Sequence, residues 1–240
     1  MTKKAAIVTG GGRGIGRAIS MELATNGYYV IINYKANEAA AKETLEMIRQ
    51  ADGDGNIFAF DISDSSATQK AMAEITKQFE IEILVNNAGI NADGLFIMMP
   101  EKDWHSVLDT ALNGFYNVTR PVLKQMIRKK KGSIVSIASV AGLMGNRGQA
   151  NYSAAKAGVI AASKSVSSEV ARLGIRVNVV APGLIQTEMI KDAPVEIIKK
   201  MIPMARIGKP EEVASVVKFL CSEDAAYVTG QVICVDGGMI

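Results

Sequence analysis

Short apolar runs alternate with longer amphipathic stretches along most of the chain. Runs of about four to eight apolar residues between turn residues are typical of buried strands, whereas apolar residues spaced three and four apart are typical of helices. The pattern predicts strands at 5–9, 28–33, 56–60, 82–86, 133–139, 175–181 and 231–235. It predicts helices at 17–26, 38–50, 65–79, 101–130 and 151–173, a covering segment at 188–204, and a helix that opens at Pro210.

This alternation predicts the fold class. Strands that alternate with helices form an α/β protein, and right-handed crossovers place helices on both faces of the sheet. We therefore expect a Rossmann-type doubly wound parallel sheet of about seven strands. No linker, repeat or change in composition divides the chain, so residues 1–240 are expected to form a single domain.

Composition and charge exclude several classes of binding partner for this protein. The net charge is only +3, and basic residues do not form a stripe interleaved with aromatics, so nucleic acid is not an expected partner. No apolar run has the length of a membrane span, and the N-terminal apolar run is too short for a signal peptide. Cys221 and Cys234 lack metal-ligand spacing. We expect a cytoplasmic protein without a metal site or a membrane anchor.

A cluster of glycines follows the first predicted strand and precedes the first predicted helix. In this context, glycines let the backbone approach a pyrophosphate, and the helix N-terminus faces the negative charge. An ordinary tight turn is the alternative, but the flanking strand and helix favour dinucleotide binding. The candidate residues of this turn are Gly10, Gly12, Arg13, Gly14, Ile15 and Gly16.

The ends of the next strands indicate which dinucleotide is bound. The second strand ends at Asn33 and is followed by Lys35, without the acidic residue that typically holds the ribose of NAD. Lys35 and Arg13 could instead face a 2′-phosphate, which favours NADP(H), although Lys35 could also be a solvated loop lysine. At the end of the third strand, Asp61 and Ile62 could frame an adenine. At the end of the fourth, Asn87 can tie adjacent strand ends together, and Ala88 and Gly89 leave room for a cofactor, although this segment could also be an ordinary turn.

Tyr152 and Lys156 are candidates for the chemistry. They are four residues apart, so a helix places them on the same face, where a lysine ammonium is expected to lower the pKa of the phenol. Such a tyrosine can give a proton to an alkoxide. Ser139, at the end of a predicted strand, can hydrogen-bond the same oxygen. Together they predict a site that polarises a carbonyl group and needs a hydride donor.

Taken together, these motifs resemble the short-chain dehydrogenase/reductase family. The matches are the turn at 9–16, the segment 86–89, Ser139, Tyr152 with Lys156, and the segment 182–187, in the family's order and spacing. Within the family, the sequence is most similar to bacterial reductases of 3-oxoacyl chains carried by acyl carrier protein. Stretches 144–156, 178–183 and 227–239 support this similarity.

The resemblance implies an activity and roles for individual residues. Tyr152 would donate the proton, Ser139 would position the keto oxygen, and Lys156 would hold the nicotinamide ribose and acidify Tyr152. Pro182, Gly183, Ile185 and Thr187 would lie against the nicotinamide carboxamide. The adenosine and ribose would be lined by Asp61, Ile62, Asn87, Ala88 and Gly89. NADPH would reduce a 3-oxoacyl thioester on acyl carrier protein to a 3-hydroxyacyl product. The resemblance also implies a homotetramer.

Two features qualify this interpretation. The family has an asparagine where this chain has Ala111, and that asparagine helps to hold a water through which the lysine is reprotonated. Asn113 would point to the opposite side of a helix, so reduced but non-zero turnover is expected. The basic run 128–131, with Arg172, either docks an acidic carrier protein or is a solvated helix end.

Other functions remain open at this point. The chain could reduce another ketone, such as a sugar, a polyol or a small carbonyl compound, or serve a specialised pathway such as polyene or polyketide-like synthesis. It could also be a nucleotide-binding subunit with little catalysis, and Ala111 is the only observation in favour of that function.

Overall fold

The computed structural model describes residues 4–188 and 199–240. Its strands are β1 (Lys4–Val8), β2 (Tyr29–Tyr34), β3 (Asp54–Ala59), β4 (Glu80–Asn86), β5 (Gly132–Ile137), β6 (Ile175–Pro182) and β7 (Val232–Val235). Its helices are α1 (Gly14–Thr25), α2 (Glu38–Gln50), α3 (Ser65–Gln78), α4 (Glu101–Leu108), α5 (Gly114–Lys129), α6 (Ala141–Met144), α7 (Ala150–Val170) and α8 (Pro210–Cys221).

The strands form one parallel sheet in the order β3-β2-β1-β4-β5-β6-β7. The order reverses between β1 and β4, and a crevice opens at such a point beyond the carboxyl ends of the strands. The loops that leave β1, β4, β5 and β6 therefore meet at one edge. The predicted α/β class with a doubly wound parallel sheet is confirmed.

The sheet is buried on both faces because alternate residues of each strand point to opposite sides. In β1, Ala6 and Val8 belong to a core cluster with residues of α1, α2 and α8. Ala5 and Ile7 belong to a second cluster with residues of α3 and α5 on the other face. Apolar residues at every position of a strand reflect this double burial.

The helix predicted at 101–130 is interrupted. Residues Asp109–Asn113 form a π-helical segment between α4 and α5. A π segment has an extra residue per turn and often marks a functional site. It contains Ala111, so the departure seen in the sequence falls where the backbone is also irregular. Most of the covering segment predicted at 188–204 lies outside the described residues.

Candidate active site

The predicted glycine turn joins β1 to α1 beside the crevice. Gly10 and Gly14 have φ of 62° and 51°, in the left-handed region that glycine adopts without strain. A Cβ on Gly12 would lie 3.1 Å from the backbone of Ala41 in α2, and one on Gly16 would strike the Gly10 carbonyl oxygen. These four positions therefore require glycine, either for conformation or for close approach.

Two asparagines brace this turn. Asn33 is 2% exposed, and its side chain accepts a hydrogen bond from Gly10 N at 3.3 Å and donates one to Phe60 O at 2.9 Å. Asn87 Nδ2 donates to Thr9 O at 2.9 Å and to Gly10 O at 3.2 Å. Asn87 thus ties adjacent strand ends together, as the sequence predicted. Asn33, predicted to contact the cofactor, has its amide engaged with the backbone.

The start of α1 is suited to an anion. The N-cap residue Arg13 makes no side-chain cap hydrogen bond, and the first turn contains no acidic residue. The N–H groups of a first helical turn lack partners within the helix and carry partial positive charge. Ile15 packs against the core cluster and anchors this turn. The helix N-terminus is uncapped, and the glycine turn leaves space that Cβ atoms would fill. Both features fit the pyrophosphate of a dinucleotide.

The two cations predicted to face a 2′-phosphate are both paired with carboxylates. Lys35 Nζ lies 2.6 Å from Asp61 Oδ2, and Arg13 Nη1 lies 3.0 Å from Glu188 Oε2. Partial burial raises the pKa of Asp61, but the hydrogen bonds from Lys35 and from the following serine outweigh it, so that pKa is lowered. Lys35 and Asp61, both predicted site residues, therefore already lie side by side.

The loop after β4 lies between the turn and the catalytic candidates. Thr9 Oγ1 accepts hydrogen bonds from Asn87 N at 2.9 Å and Ala88 N at 3.0 Å, which fixes the end of the strand. A Cβ on Gly89 would lie 3.2 Å from Lys156 Nζ. Ile62 is 6% exposed and, with Ala88, lines a cavity beside Lys156.

Ser139, Tyr152 and Lys156 are brought together at the carboxyl edge of the sheet. Ser139 follows β5 by two residues, and its hydroxyl acts as a hydrogen-bonding partner of the Tyr152 phenol. Lys156 lies one turn after Tyr152 in α7, with Nζ 5.6 Å from the centre of the phenol ring. That ammonium donates a hydrogen bond to Ile137 O at 2.8 Å.

The pKa of Tyr152 differs from the prediction. Burial raises the pKa of Tyr152, the contact with Ser139 lowers it and the charge of Asp93 raises it, with a net rise above 10.0. Burial alone lowers the pKa of Lys156 to about 8. The predicted lowering of the Tyr152 pKa is therefore wrong for this arrangement, because desolvation dominates and the ammonium does not touch the phenol oxygen.

Ala111 borders a small cavity next to Lys156. The cavity offers about 10 Å³ to the centre of a water-sized sphere, close to the minimum for one water molecule. Asn86 and Thr110 supply polar lining. Asn113 is exposed and donates a hydrogen bond to Asp109 at 2.8 Å, on the other side of the helix. It does not replace the asparagine expected at 111.

The segment 182–187 closes over the crevice from β6. Pro182 O accepts from Val140 N at 3.0 Å, and Gly183 N donates to Val235 O at 3.0 Å. A Cβ on Gly14 would lie 3.2 Å from Thr187 Cγ2, so Thr187 lies over the glycine turn. Ile185 is 4% exposed and belongs to the core cluster that contains the neighbouring strand ends.

Sequence reasoning assigned no individual role to several residues that support this site. The Thr9 hydroxyl and the buried Asn151 hold the loops around it, and Asn86 Nδ2 donates to Thr119 Oγ1 at 3.0 Å. The sequence signal that could have identified them is a polar side chain at the end of a strand or helix. Across residues 4–188 and 199–240, no group of three His, Cys, Asp or Glu side chains is arranged to hold a metal ion. Among the described helices, none is long and apolar enough to cross a membrane.

A glycine turn at the reversal of a parallel sheet, beside an uncapped helix end, defines a Rossmann-type dinucleotide-binding protein. Residues 10–240 match the family model described as enoyl-(acyl carrier protein) reductase. A protein of Synechocystis sp. named 3-oxoacyl-[acyl-carrier-protein] reductase is 43% identical over 242 residues, covering 100% of this chain and 98% of that protein.

Two further relatives carry the same reductase name. The protein of Aggregatibacter actinomycetemcomitans is 44% identical over 236 residues, covering 97% of this chain and 98% of its own length. That of Staphylococcus aureus is 42% identical over 240 residues, covering 98% of each chain. The chain belongs to the short-chain dehydrogenase/reductase family, as its motifs predicted.

Proposed function

We propose that this protein is an NADPH-dependent reductase that converts 3-oxoacyl chains on acyl carrier protein to 3-hydroxyacyl chains in fatty acid or related acyl-chain synthesis. The proposal rests on one observation above all. Ser139, Tyr152 and Lys156 converge beside Gly89 at the carboxyl edge of the sheet, next to the glycine turn. The names of the full-length relatives support the substrate class.

Each of the three side chains has a distinct task in this proposal. A bound nicotinamide supplies a hydride to the keto carbon. The Ser139 hydroxyl donates a hydrogen bond to the keto oxygen, and Tyr152 gives its phenolic proton to that oxygen as it becomes an alkoxide. With a pKa above its usual value, Tyr152 is protonated at neutral pH and ready to act as the acid.

Lys156 completes the arrangement through charge and hydrogen bonding. Its ammonium faces Gly89 and donates to the end of β5, so it lies where the ribose next to the nicotinamide would be held. A pKa of about 8 leaves it mostly charged at neutral pH, but able to release and regain a proton. No side-chain amide reaches the water-sized cavity from position 111, which favours slow proton resupply and reduced turnover.

The proposed preference for NADPH follows from the adenosine end. Lys35 and Arg13 would turn from Asp61 and Glu188 to the 2′-phosphate, exchanging one anionic partner for another. Asp61 and Ile62 would then border the adenine, and Pro182, Gly183, Ile185 and Thr187 would border the carboxamide.

The matched family description names an enoyl reductase, whereas the relatives are named 3-oxoacyl reductases. A proton donor and a second hydroxyl that converge on one point fit the oxygen of a ketone, which keeps the proton in the product. Reduction of an enoyl thioester also builds charge on an oxygen, that of the thioester, but its final proton goes to carbon. The names of the full-length relatives therefore favour the ketone in this proposal.

A substrate panel tests this proposal. Purified protein with NADPH should reduce an acetoacetyl thioester on acyl carrier protein, with NADH much slower, and Tyr152→Phe should abolish the reaction. Turnover of crotonoyl thioester alone would identify an enoyl reductase, and turnover only of sugar or polyol ketones would identify another ketoreductase. NADPH binding without turnover of any of these would contradict a catalytic role.

We also propose that the carrier docks on a basic patch formed by Arg128, Lys130 and Arg172. The backbone of Lys130 adjoins Gly174, which brings the three exposed cations to one corner. Lys129 and Lys131 are instead paired with Glu80 and Glu82, at 3.3 and 3.6 Å.

The patch lies at the amino edge of the sheet, whereas the site lies at the carboxyl edge. The two are roughly 20 Å apart along β5, from the length of a six-residue strand. A carrier docked there would therefore serve the site of a neighbouring copy in the proposed homotetramer. The exposed outer face of α5, where Arg120 lies 5.8 Å from the ring of Tyr116, is a candidate contact between copies.

Charge reversal tests the docking surface. Arg128→Glu with Lys130→Glu should raise the KM for the carrier-bound substrate and leave the KM for a small thioester unchanged. Lys70→Glu, an exposed lysine on α3, serves as the matched control. Equal effects on both substrates would exclude docking at this patch. Sedimentation should show four chains of 25.5 kDa, and a monomer would contradict the route between copies.

A further inference from the structure

Two loops meet over Tyr152 through a set of contacts that no described catalytic step uses. One loop follows β4, and the other leads into α7. Gln149 Nε2 donates to both carboxylate oxygens of Asp93, at 3.1 and 3.0 Å. Gly94 N donates to Gly148 O at 2.8 Å, alongside this pair. The two loops are therefore joined by side chains and by backbone.

Gln149 is committed to this contact. It is the N-cap residue of α7 but makes no side-chain cap hydrogen bond there. Its amide oxygen instead accepts a hydrogen bond from Asn146 Nδ2 at 2.9 Å, while its amide nitrogen donates to Asp93. Both ends of the Gln149 side-chain amide are therefore hydrogen-bonded to loop residues.

Asn151, two residues after Gln149, carries the contact to the catalytic tyrosine. Asn151 is fully buried, and its Nδ2 donates to Ala92 O at 3.0 Å and to Asp103 O at 3.4 Å. Its Oδ1 accepts from Tyr152 N at 2.7 Å. Ala92 itself packs in the apolar cluster that includes the Tyr152 ring and Ala111.

We propose that Asp93 and Gln149 form a latch that holds the loop after β4 against α7 and so positions Tyr152 for proton donation. In this proposal, which rests on the proposed reductase function, both latch residues are positioning residues. When the latch opens, Ala92 moves away from the phenol ring, and the wall that orients the phenol is lost. The charge of Asp93 also contributes to the raised pKa of Tyr152.

The chain offers an isosteric test of this latch. Gln149→Glu places a second carboxylate against Asp93, which breaks the latch by repulsion and preserves the contact with Asn146. In the double variant with Asp93→Asn, the asparagine amide at 93 donates to the glutamate carboxylate at 149, so the hydrogen bond is restored with its direction reversed. The double variant has the same side-chain sizes and net charge as the parent chain. Asn91→Ala, at an exposed position in the same loop, is the control.

The expected results separate positioning from folding. Gln149→Glu should lower kcat roughly five- to thirtyfold, the range of one or two lost hydrogen-bond equivalents, with KM changed less than about twofold. The double variant should return to within about twofold of the parent chain. A kcat unchanged by Gln149→Glu, or a double variant no faster than the single one, would overturn the proposal.

A second readout does not depend on turnover. The Gly94 amide hydrogen, which is bonded to Gly148 O, should exchange with solvent faster in Gln149→Glu and recover its protection in the double variant. If the parent chain reduces no ketone, the proposed function fails, while this exchange pattern still decides whether the latch exists. Equal exchange in all variants would rule the latch out.

Discussion

The buried ammonium of Lys156 leads to a prediction about stability as well as activity. Lys156 is 5% exposed, and burial places its pKa at about 8 instead of the usual 10.5. Because the folded pKa is the lower one, the unfolded chain binds more protons between these values. Stability therefore rises as the pH passes from about 8 to 10.5, and at pH 7 the folded state bears the full cost of the buried charge.

The size of this cost follows from the two pKa values. Their difference corresponds to about 3 kcal/mol at pH 7, and to about 1 kcal/mol at pH 10, where the folded lysine is neutral. Lys156→Met removes the charge and keeps the length of the side chain. It also leaves Ile137 O without its donor, which costs about 1–2 kcal/mol.

We therefore expect Lys156→Met to be more stable than the parent chain by roughly 1–2 kcal/mol at pH 7, and to lose about 2 kcal/mol of this advantage by pH 10. Urea unfolding at fixed protein concentration, without added cofactor, measures both quantities. Lys164→Met, at an exposed position of α7, is the control and should show no such pH dependence.

The same variant should lose the proposed reductase activity, because the ribose contact and the proton route proposed for Lys156 are both removed. A variant that is less stable at pH 7, with a difference from the parent chain that does not change with pH, would refute the cost assigned to the buried ammonium.

Further substitutions test the remaining parts of the site. Ala111→Asn places an amide at the cavity beside Lys156 and should raise turnover; turnover no faster than that of the parent chain would contradict the proton-supply argument. Gly16→Ala pushes a methyl group into the Gly10 carbonyl and should abolish NADPH binding in a fluorescence titration; an unchanged Kd for NADPH would show that the turn can rearrange to accommodate the methyl group. Asn87→Ala removes two hydrogen bonds to the turn and should lower the free energy of unfolding by about 1–3 kcal/mol, measured in urea; a loss within error would show that the turn does not need this brace.

The sheet could be predicted from the sequence because double burial leaves a plain signal. After Lys4, β1 is apolar at every position, and β6 is apolar except at Arg176 and Asn178 and ends at Pro182. Some strand boundaries differ from the predicted ones. β4 begins at Glu80 because parallel pairing with Lys4 extends it beyond its apolar part, and β5 ends at Ile137, two residues before Ser139.

The π-helical segment could not be predicted from the apolar pattern. The side chains at 107, 111, 115 and 118 keep helical spacing, and one extra residue in a turn changes the hydrogen bonds without changing that stripe. From the sequence, Ala111 is notable only because the family that the chain resembles has asparagine at this position.

Candidate site residues were predicted where local chemistry suffices. The glycine turn and the pair of Tyr152 and Lys156 depend on spacing along the chain, and the structure brings their members together. Contacts between distant segments left no such pattern. The pairing of Asp93 with Gln149 joins positions 56 residues apart, and the pairing of Lys35 with Asp61 joins two separate strand ends.

The pKa of Tyr152 shows a related limit. Sequence spacing places Lys156 near the phenol, but only the structure shows that both groups are desolvated and that the ammonium bonds Ile137 O instead of the phenol oxygen. The sign of the shift depends on burial, which the spacing of two residues does not report.

Transfer of hydride from NADPH to the keto carbon is the central claim. It is tested most directly by incubating the protein with acetoacetyl-acyl carrier protein and NADPH carrying deuterium at the transferring position. Mass spectrometry should find one deuterium at C3 of a 3-hydroxybutyryl product, and none with Tyr152→Phe. Unlabelled or unreduced acyl chains from the parent protein, under conditions in which it binds NADPH, would contradict the account.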